Sequence, residues 1–147
     1  MTASVSKVTS DVVALLAPQK TMKGIEVEQD IDAKHTVRIT ESRLVQVLLN
    51  LGMNAGDAMG EKGGRLRFES NDRGDAIVIS VSDTGPGIAE DVRENLFEPF
   101  VTTKEPGEGT GLGLAVCRGI IESAGGTIKV DAEYKDGAKF VITLPRA

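Results

Sequence analysis

Apolar residues recur along the chain with two periods, and these periods predict most of the secondary structure. Helical spacing predicts helices at residues 5–16, 41–59 and 111–124. Alternation of apolar and polar residues predicts strands at residues 25–31, 37–39, 65–69, 77–81, 128–130 and 140–144. Neither period is present from 84 to 111, and connecting segments of that length are usually functional, so we expect a lid there.

The order of these elements predicts an α+β domain. Short turns join 65–69 to 77–81 and 128–130 to 140–144, which is typical of antiparallel hairpins. We therefore expect a two-layer α/β sandwich, in which helices pack on one face of a mixed, mostly antiparallel sheet and the other face is polar. Residues 1–147 are predicted to be a single domain, with 1–20 as a leading helix or linker and 84–111 as the lid.

Composition supports a compact core and excludes several classes of partner. The chain has 147 residues, of which 40% are hydrophobic and 27% charged, and its net charge is -5. Because nucleic-acid binding needs clustered Lys and Arg, we expect no nucleic-acid partner. No apolar run reaches the ~18 residues of a membrane span, so we expect a cytoplasmic segment without direct membrane insertion. Cys117 is predicted to be a buried, inert thiol, and His35 a surface residue.

The helix at 41–59 carries one polar stripe on an otherwise apolar surface. Its members are Arg43, Gln46, Asn50, Asn54 and Asp57. A solvated face would explain such a stripe, but solvated faces favour Lys and Glu, whereas Asn is a weak helix former. A carboxamide oxygen can ligate a hard cation such as Mg²⁺, and a neighbouring amide can orient a phosphate oxygen.

Asp83 has the same parity as the inward-facing residues of the predicted strand 77–81, and a glycine-rich turn follows it. Its carboxylate is therefore expected on the apolar face, where it suits the exocyclic amine of adenine. Gly85 and Gly87 would let the backbone approach a flat ring. The alternative is an ordinary Asx turn, and the two interpretations are compatible.

A second glycine cluster opens the last helix. Gly109, Gly111 and Gly113 alternate at a predicted helix N-terminus, where free amides favour phosphate. Their spacing fits neither the dinucleotide-binding motif nor the P-loop, and a flexible hinge would also explain them. Lys104 is a candidate phosphate partner in the segment between the two glycine clusters.

Taken together, four motifs resemble the boxes of sensor histidine kinase ATP-binding domains of the GHKL superfamily. They are NLGMNAGDAM (50–59), DTGPGI (83–88), LFEPFVTTK (96–104) and GTGLGL (109–114). The resemblance covers residues 25–145, and the FEPFVTTK form is most similar to nitrogen-regulation kinases.

The resemblance implies Mg-ATP binding and transfer of the γ-phosphoryl group to a histidine. It implies Asn54 as the metal ligand, Asn50 and Lys104 as catalytic residues, and Asp83 as the acceptor of the adenine amine. The nucleotide-binding residues that it implies are Asn50, Asn54, Asp83, Gly85, Gly87, Ile88, Thr103, Lys104, Gly109, Thr110, Gly111, Leu112, Gly113 and Leu114. The implied partners are a histidine-bearing dimerisation domain, which these residues do not include, and a downstream response regulator.

Two positions depart from the family pattern, and three rival functions stay open. Asp57 stands where many relatives have a basic residue, and Ala138 where they often have threonine. An ATPase of the gyrase, mismatch-repair or chaperone type would carry a glutamate in place of Asn50 to activate water, and an amide cannot take that proton. The second rival is a serine kinase of the anti-sigma type, and the third is a non-catalytic nucleotide-binding switch.

Overall fold

Helices packed on a mixed sheet make up the fold. The computed structural model describes residues 1–93, 95–98 and 113–147. The helices are α1 (Val5–Leu16), α2 (Glu41–Met59), α3 (Glu90–Arg93) and α4 (Gly113–Ser123), and the strands are β1 (Ala3–Ser4), β2 (Ile25–Asp30), β3 (Thr36–Val37), β4 (Gly64–Asp72), β5 (Ala76–Asp83), β6 (Thr127–Val130) and β7 (Lys139–Pro145). Short 3₁₀ turns occupy Lys20–Met22 and Gly60–Lys62. The predicted α+β class is confirmed.

Five strands form the main sheet, in the order β2-β4-β5-β7-β6. β2 and β4 are parallel because the chain between them crosses over through α2, whereas all other neighbours are antiparallel. The register aligns Leu66 with Asp83 and Val81 with Phe140. Asp83 therefore ends the central strand, with β4 on one side and the start of β7 on the other.

The core lies between the sheet and the long helices. Residues from α1, α2 and the inner sheet face are completely buried: Val5, Val8, Val12, Leu16, Leu44, Val47, Leu48, Leu66, Phe68, Ile77 and Ile79. A Cβ on Gly52 would lie 2.8 Å from Leu16 Cδ1, so the absence of a side chain there sets the close approach of α2 to α1. Burial of this apolar face is the main source of stability.

The opposite sheet face is charged, as expected. Arg67 of β4 forms ion pairs with Glu69, Glu28 and Asp30 at N–O distances of 3.0, 3.2 and 3.0 Å. The guanidinium lowers the pKa of Glu69, chiefly through the hydrogen bond between them. These groups are partly exposed, so each pair contributes little to stability.

Helix α2 has the predicted bounds, but two sequence-based expectations need correction. The second predicted strand is only the two-residue β3, which pairs with β1 outside the main sheet. His35 is not a surface residue: it is 8% exposed, and its Nδ1 lies 2.7 Å from Ser70 Oγ.

Burial of the single cysteine is confirmed. The Cys117 side chain is 0% exposed, and burial raises the pKa of its thiol to about 11. Among the residues that the structure describes, no helix combines the length and apolarity that a transmembrane helix requires.

Candidate functional site

Asp83 is a buried carboxylate at the end of the central strand. It is 4% exposed, and its Oδ1 accepts hydrogen bonds from the amides of Gly85 at 2.8 Å and Ala138 at 3.2 Å. Burial raises the pKa of Asp83, and the two amide hydrogen bonds oppose that rise. The bond from Gly85 forms the expected Asx turn, which therefore coexists with the inward direction of the carboxylate.

The loop before β7 holds Asp83 in place through its main chain. The Tyr134 hydroxyl donates to the Asp83 carbonyl oxygen at 3.2 Å, and the Asp83 amide donates to the Ala138 carbonyl at 2.9 Å. Gly137 packs so closely that an added Cβ would overlap the Asp83 carbonyl. Ala138 supports Asp83 through its main-chain amide and carbonyl groups. The alanine that stands here in place of the family's frequent threonine therefore leaves these hydrogen bonds intact.

The turn after Asp83 lies against the end of α2. The Thr84 hydroxyl oxygen accepts the Arg65 amide at 3.0 Å and lies 3.9 Å from Met59 Sδ. A Cβ on Gly85 would lie 3.1 Å from Asp83 Oδ1 and 3.2 Å from Met59 Cγ. A methyl group at this position would be tighter than an ordinary contact, so Asp83 or Met59 would have to shift by a few tenths of an ångström to admit a side chain.

Asn50, a member of the polar stripe of α2, lies next to the N-terminus of α4. It is half-buried, and its Oδ1 lies 3.2 Å from the position of a Cβ on Gly113, the first residue of α4. Burial raises the pKa of the Cys117 thiol, one turn further along α4, and Asn50 opposes that rise. Asn54 is half-buried and Asp57 exposed on the following turns of α2. An amide side chain and a helix N-terminus thus meet at one point.

Two cavities flank the turn after Asp83. One, of about 170 Å³, lies between Gly87, Ile88, Arg93 and the loop that contains Tyr134. The other, of about 630 Å³, lies between the end of α2, the 3₁₀ turn at 60–62 and the turn at 84–86. Open space is therefore present on both sides of the residues that follow the buried carboxylate.

A comparison with protein families decides the classification. The model described as "Histidine kinase-, DNA gyrase B-, and HSP90-like ATPase" matches residues 39–147. The chain belongs to this family.

Several of the proteins that are similar to this chain are sensor histidine kinases. The sensor kinase CckA of Brucella abortus (strain 2308) is 41% identical over 140 residues, which cover 84% of this chain and 15% of CckA. The nucleotide-free catalytic domain of histidine kinase ThkA is 32% identical, with a TM-score of 0.86 and coverage of 99% of this chain and 95% of that one. Full-length ShkA in complex with AMPPNP is 36% identical, with a TM-score of 0.81 and coverage of 99% and 31%. The chain is thus an ATP-binding catalytic domain of the sensor kinase type, and it spans 15% of the length of CckA.

The structure of this ATP-binding domain gathers part of the predicted site. Asp83, Gly85, Gly87 and Ile88 lie together in one turn, and Asn50 lies beside Gly113. Asn54 follows Asn50 by one turn of α2, and Leu114 follows Gly113 in α4. The remaining predicted residues lie outside the described ones: Thr103, Lys104, Gly109, Thr110, Gly111 and Leu112.

Sequence reasoning missed the support behind Asp83. Tyr134 and Gly137 were part of a hairpin connection, and nothing in their local pattern connects them to a residue some 50 positions earlier. The one available signal was Gly137 itself, since a glycine in a turn can also mark a close backbone approach.

Proposed function

We propose that this domain binds Mg-ATP and transfers the γ-phosphoryl group to a histidine nitrogen on a dimerisation domain. A response regulator would then receive the phosphoryl group. The buried acceptor Asp83 is the observation that carries the proposal. A carboxylate in an apolar wall costs stability, and it is explained by a ligand donor such as the adenine amine.

The geometry supports a nucleotide that extends from Asp83 to the start of α4. Both backbone amides bind Oδ1 of Asp83, so we assign the adenine amine to Oδ2. Helix N-termini in general favour phosphate, and Asn50 lies beside Gly113, the first residue of α4. The AMPPNP complex of the similar ShkA is in line with binding of a nucleotide by this domain.

The residues on this face of α2 fit a magnesium ion. Asn50 and Asn54 present carboxamide oxygens one turn apart, and Mg²⁺ usually takes one or two protein oxygens together with phosphate and water. We propose Asn54 as the ligand. When bound, the ion offsets negative charge on the phosphates, and Asn50 orients a phosphate oxygen.

Phosphoryl transfer is favoured over hydrolysis. Activation of water needs a general base within hydrogen-bonding reach, and the amide of Asn50 cannot accept that proton. With Asn50 placed at the phosphate end of the site, positioning is the main contribution that the chain makes to the reaction.

The acceptor histidine lies outside this chain in our proposal. His35 is buried against Ser70, whose strand partner Ile79 is four residues, roughly 13 Å, from Asp83. We propose that residues 1–147 act as one domain, that 1–20 connect it to the dimerisation domain, and that the ATP-dependent reaction occurs in the cytoplasm. Lys104 and the other lid residues are proposed to contact the phosphates.

Calorimetric titration with AMPPNP, with and without Mg²⁺, tests the binding step. We expect Asp83→Asn to weaken binding under both conditions, and Asn54→Ala to remove most of the gain that Mg²⁺ gives. Asp75→Asn and Asn71→Ala, at exposed positions of the β4–β5 hairpin, are matched controls. A folded chain that does not bind AMPPNP would overturn the proposal.

A transfer assay tests the reaction. The chain is incubated with γ-labelled ATP, alone and with dimerisation domains from sensor kinases. We expect label on protein only when a dimerisation domain is present, as an acid-labile and base-stable phosphoimidazole. Rapid release of inorganic phosphate by the chain alone would favour an ATPase instead.

A further inference from the structure

The hydrogen bonds between Asp83 and Ala138 differ from those of a regular antiparallel ladder. The register places Asp83 opposite Ala138, one step beyond the last paired residues of β5 and β7. The Asp83 amide donates to the Ala138 carbonyl at 2.9 Å, and in a regular ladder such a pair exchanges two main-chain bonds. The Ala138 amide donates instead to Asp83 Oδ1, at 3.2 Å. The carboxylate thus takes the donor that a ladder would give to the main-chain carbonyl.

The hydroxyl of Tyr134 supplies a donor to that carbonyl. It donates to the Asp83 carbonyl oxygen at 3.2 Å, and Asp83 is 4% exposed. A buried carbonyl without a donor costs free energy, so the hydroxyl allows the Ala138 amide to bind the carboxylate. Without the hydroxyl, the carbonyl oxygen and Oδ1 would compete for this one amide.

The position of Tyr134 is set by its own backbone and by its ring. Its amide donates to the Asp131 carbonyl at 3.3 Å, in the turn that leads out of β6. The half-buried ring lies 5.9 Å from Lys139 Nζ, within the range of a cation–π interaction. These contacts fix the direction in which the hydroxyl points.

The donors on Oδ1 determine which oxygen of Asp83 is presented to a ligand. The amides of Gly85 and Ala138 both bind Oδ1, at 2.8 and 3.2 Å. A carboxylate that is held by two donors on one oxygen presents its other oxygen, Oδ2, in a fixed direction. If the Ala138 amide turned to the carbonyl, Oδ1 would keep one donor and the carboxylate would be free to rotate.

We propose that Tyr134 is a positioning residue that makes the site selective for purine nucleotides with a 6-amino group. It acts through Asp83: its hydroxyl occupies the carbonyl, the Ala138 amide stays on Oδ1, and Oδ2 stays aimed at the amine. This inference rests on the proposed function, because it takes Asp83 as the acceptor of the base amine.

Calorimetric titration of wild type and Tyr134→Phe with two ligands tests the proposal. One ligand is AMPPNP, and the other is its analogue with hydrogen in place of the 6-amino group, which has no donor for Asp83. We expect wild type to prefer AMPPNP by about tenfold or more, and Tyr134→Phe to lose at least about threefold of this preference. The loss should lie in AMPPNP binding, while affinity for the analogue stays within about twofold of wild type. Glu133→Ala, at an exposed position of the same loop, is the matched control and should keep the wild-type preference.

The outcomes separate this inference from the function on which it rests. Tyr134→Phe keeps the ring beside Lys139, so urea denaturation should show a folded chain. Equal weakening of both ligands, an unchanged preference for AMPPNP, or a variant that does not fold would each overturn the positioning role. Equal binding of the two ligands by wild type would show that Asp83 does not hold the amine, and would overturn the inference as well. Failure of both ligands to bind the folded wild-type chain would instead overturn the proposed function.

Discussion

The charge of Asp83 reduces the stability of the fold. Burial raises its pKa in the folded chain above the ordinary value of 3.8, so near that range the native state binds a proton more tightly than the unfolded chain. Its contribution to stability is therefore largest below the unfolded pKa and is lost as pH rises through the folded pKa. At neutral pH the full cost of the buried charge is present.

Asp83→Asn should consequently keep the chain folded while it weakens nucleotide binding. The amide oxygen of Asn can still accept from Gly85 and Ala138, and the buried charge is gone. We expect the free energy of unfolding in urea at pH 7 to equal or exceed that of wild type. A loss of more than about 1 kcal/mol would show that the charge itself stabilises the fold.

His35 shows which single-residue properties the sequence does not predict. A lone histidine between Lys34 and Thr36 looks like a surface residue, and its partner Ser70 is 35 positions away. Periodicity reports the face of an element on which a residue lies, but not which distant polar group it meets. The error therefore arose from a tertiary contact.

The contact between His35 and Ser70 should stabilise the fold measurably. Each of His35→Ala and Ser70→Ala removes one partner of a buried hydrogen bond, so we expect a loss of about 1–3 kcal/mol in unfolding free energy. In a double-mutant cycle by urea denaturation, the losses should sum to more than the loss in the double variant. Strict additivity would contradict a direct interaction.

Long periodic elements could be predicted from sequence, whereas short ones could not. α2 has the predicted bounds because nineteen residues give a clear helical period and a glycine ends it. β3 was misjudged because two residues carry no period, and its pairing with β1 depends on how α1 packs. The order of strands in the sheet likewise depends on contacts that a linear pattern does not contain.

The loop before β7 should tolerate no side chain at Gly137. Gly137→Ala would push a methyl group into the Asp83 carbonyl, so we expect a loss of about 1–3 kcal/mol in stability and weaker AMPPNP binding. Gly119→Ala is the matched control. Its Cβ would meet no atom within 4 Å on α4, and the change should raise stability by about 0.5–1 kcal/mol. Thermal denaturation and calorimetry measure the two effects.

At the scale of the whole molecule, the candidate site depends on several distant segments. Asp83 ends β5, its supports precede β7, and Asn50 on α2 meets the start of α4. Sequence motifs identified most of these residues, because each motif is local. How the motifs meet could not be predicted, since it depends on the sheet order and on the packing of α4 against α2.

The buried thiol of Cys117 makes the stability of the whole domain depend on pH in the alkaline range. Its thiol pKa is raised from 9.0 to about 11, chiefly by burial, so the folded chain keeps the proton after the unfolded chain has lost it. As pH rises from about 9 to 11, wild type should lose stability relative to Cys117→Ala by ~1.4 kcal/mol per pH unit. Urea denaturation of both proteins across this range measures the difference, and parallel pH profiles would contradict the raised pKa.

The charged outer face also affects how copies of the domain behave at high concentration. β2 is an edge strand, and Glu26, Glu28 and Asp30 alternate along it. Edge strands are templates for pairing with another chain, and charged side chains discourage that pairing. Two β2 edges brought together would oppose carboxylates of the same sign, so this edge protects the domain against aggregation through sheet extension.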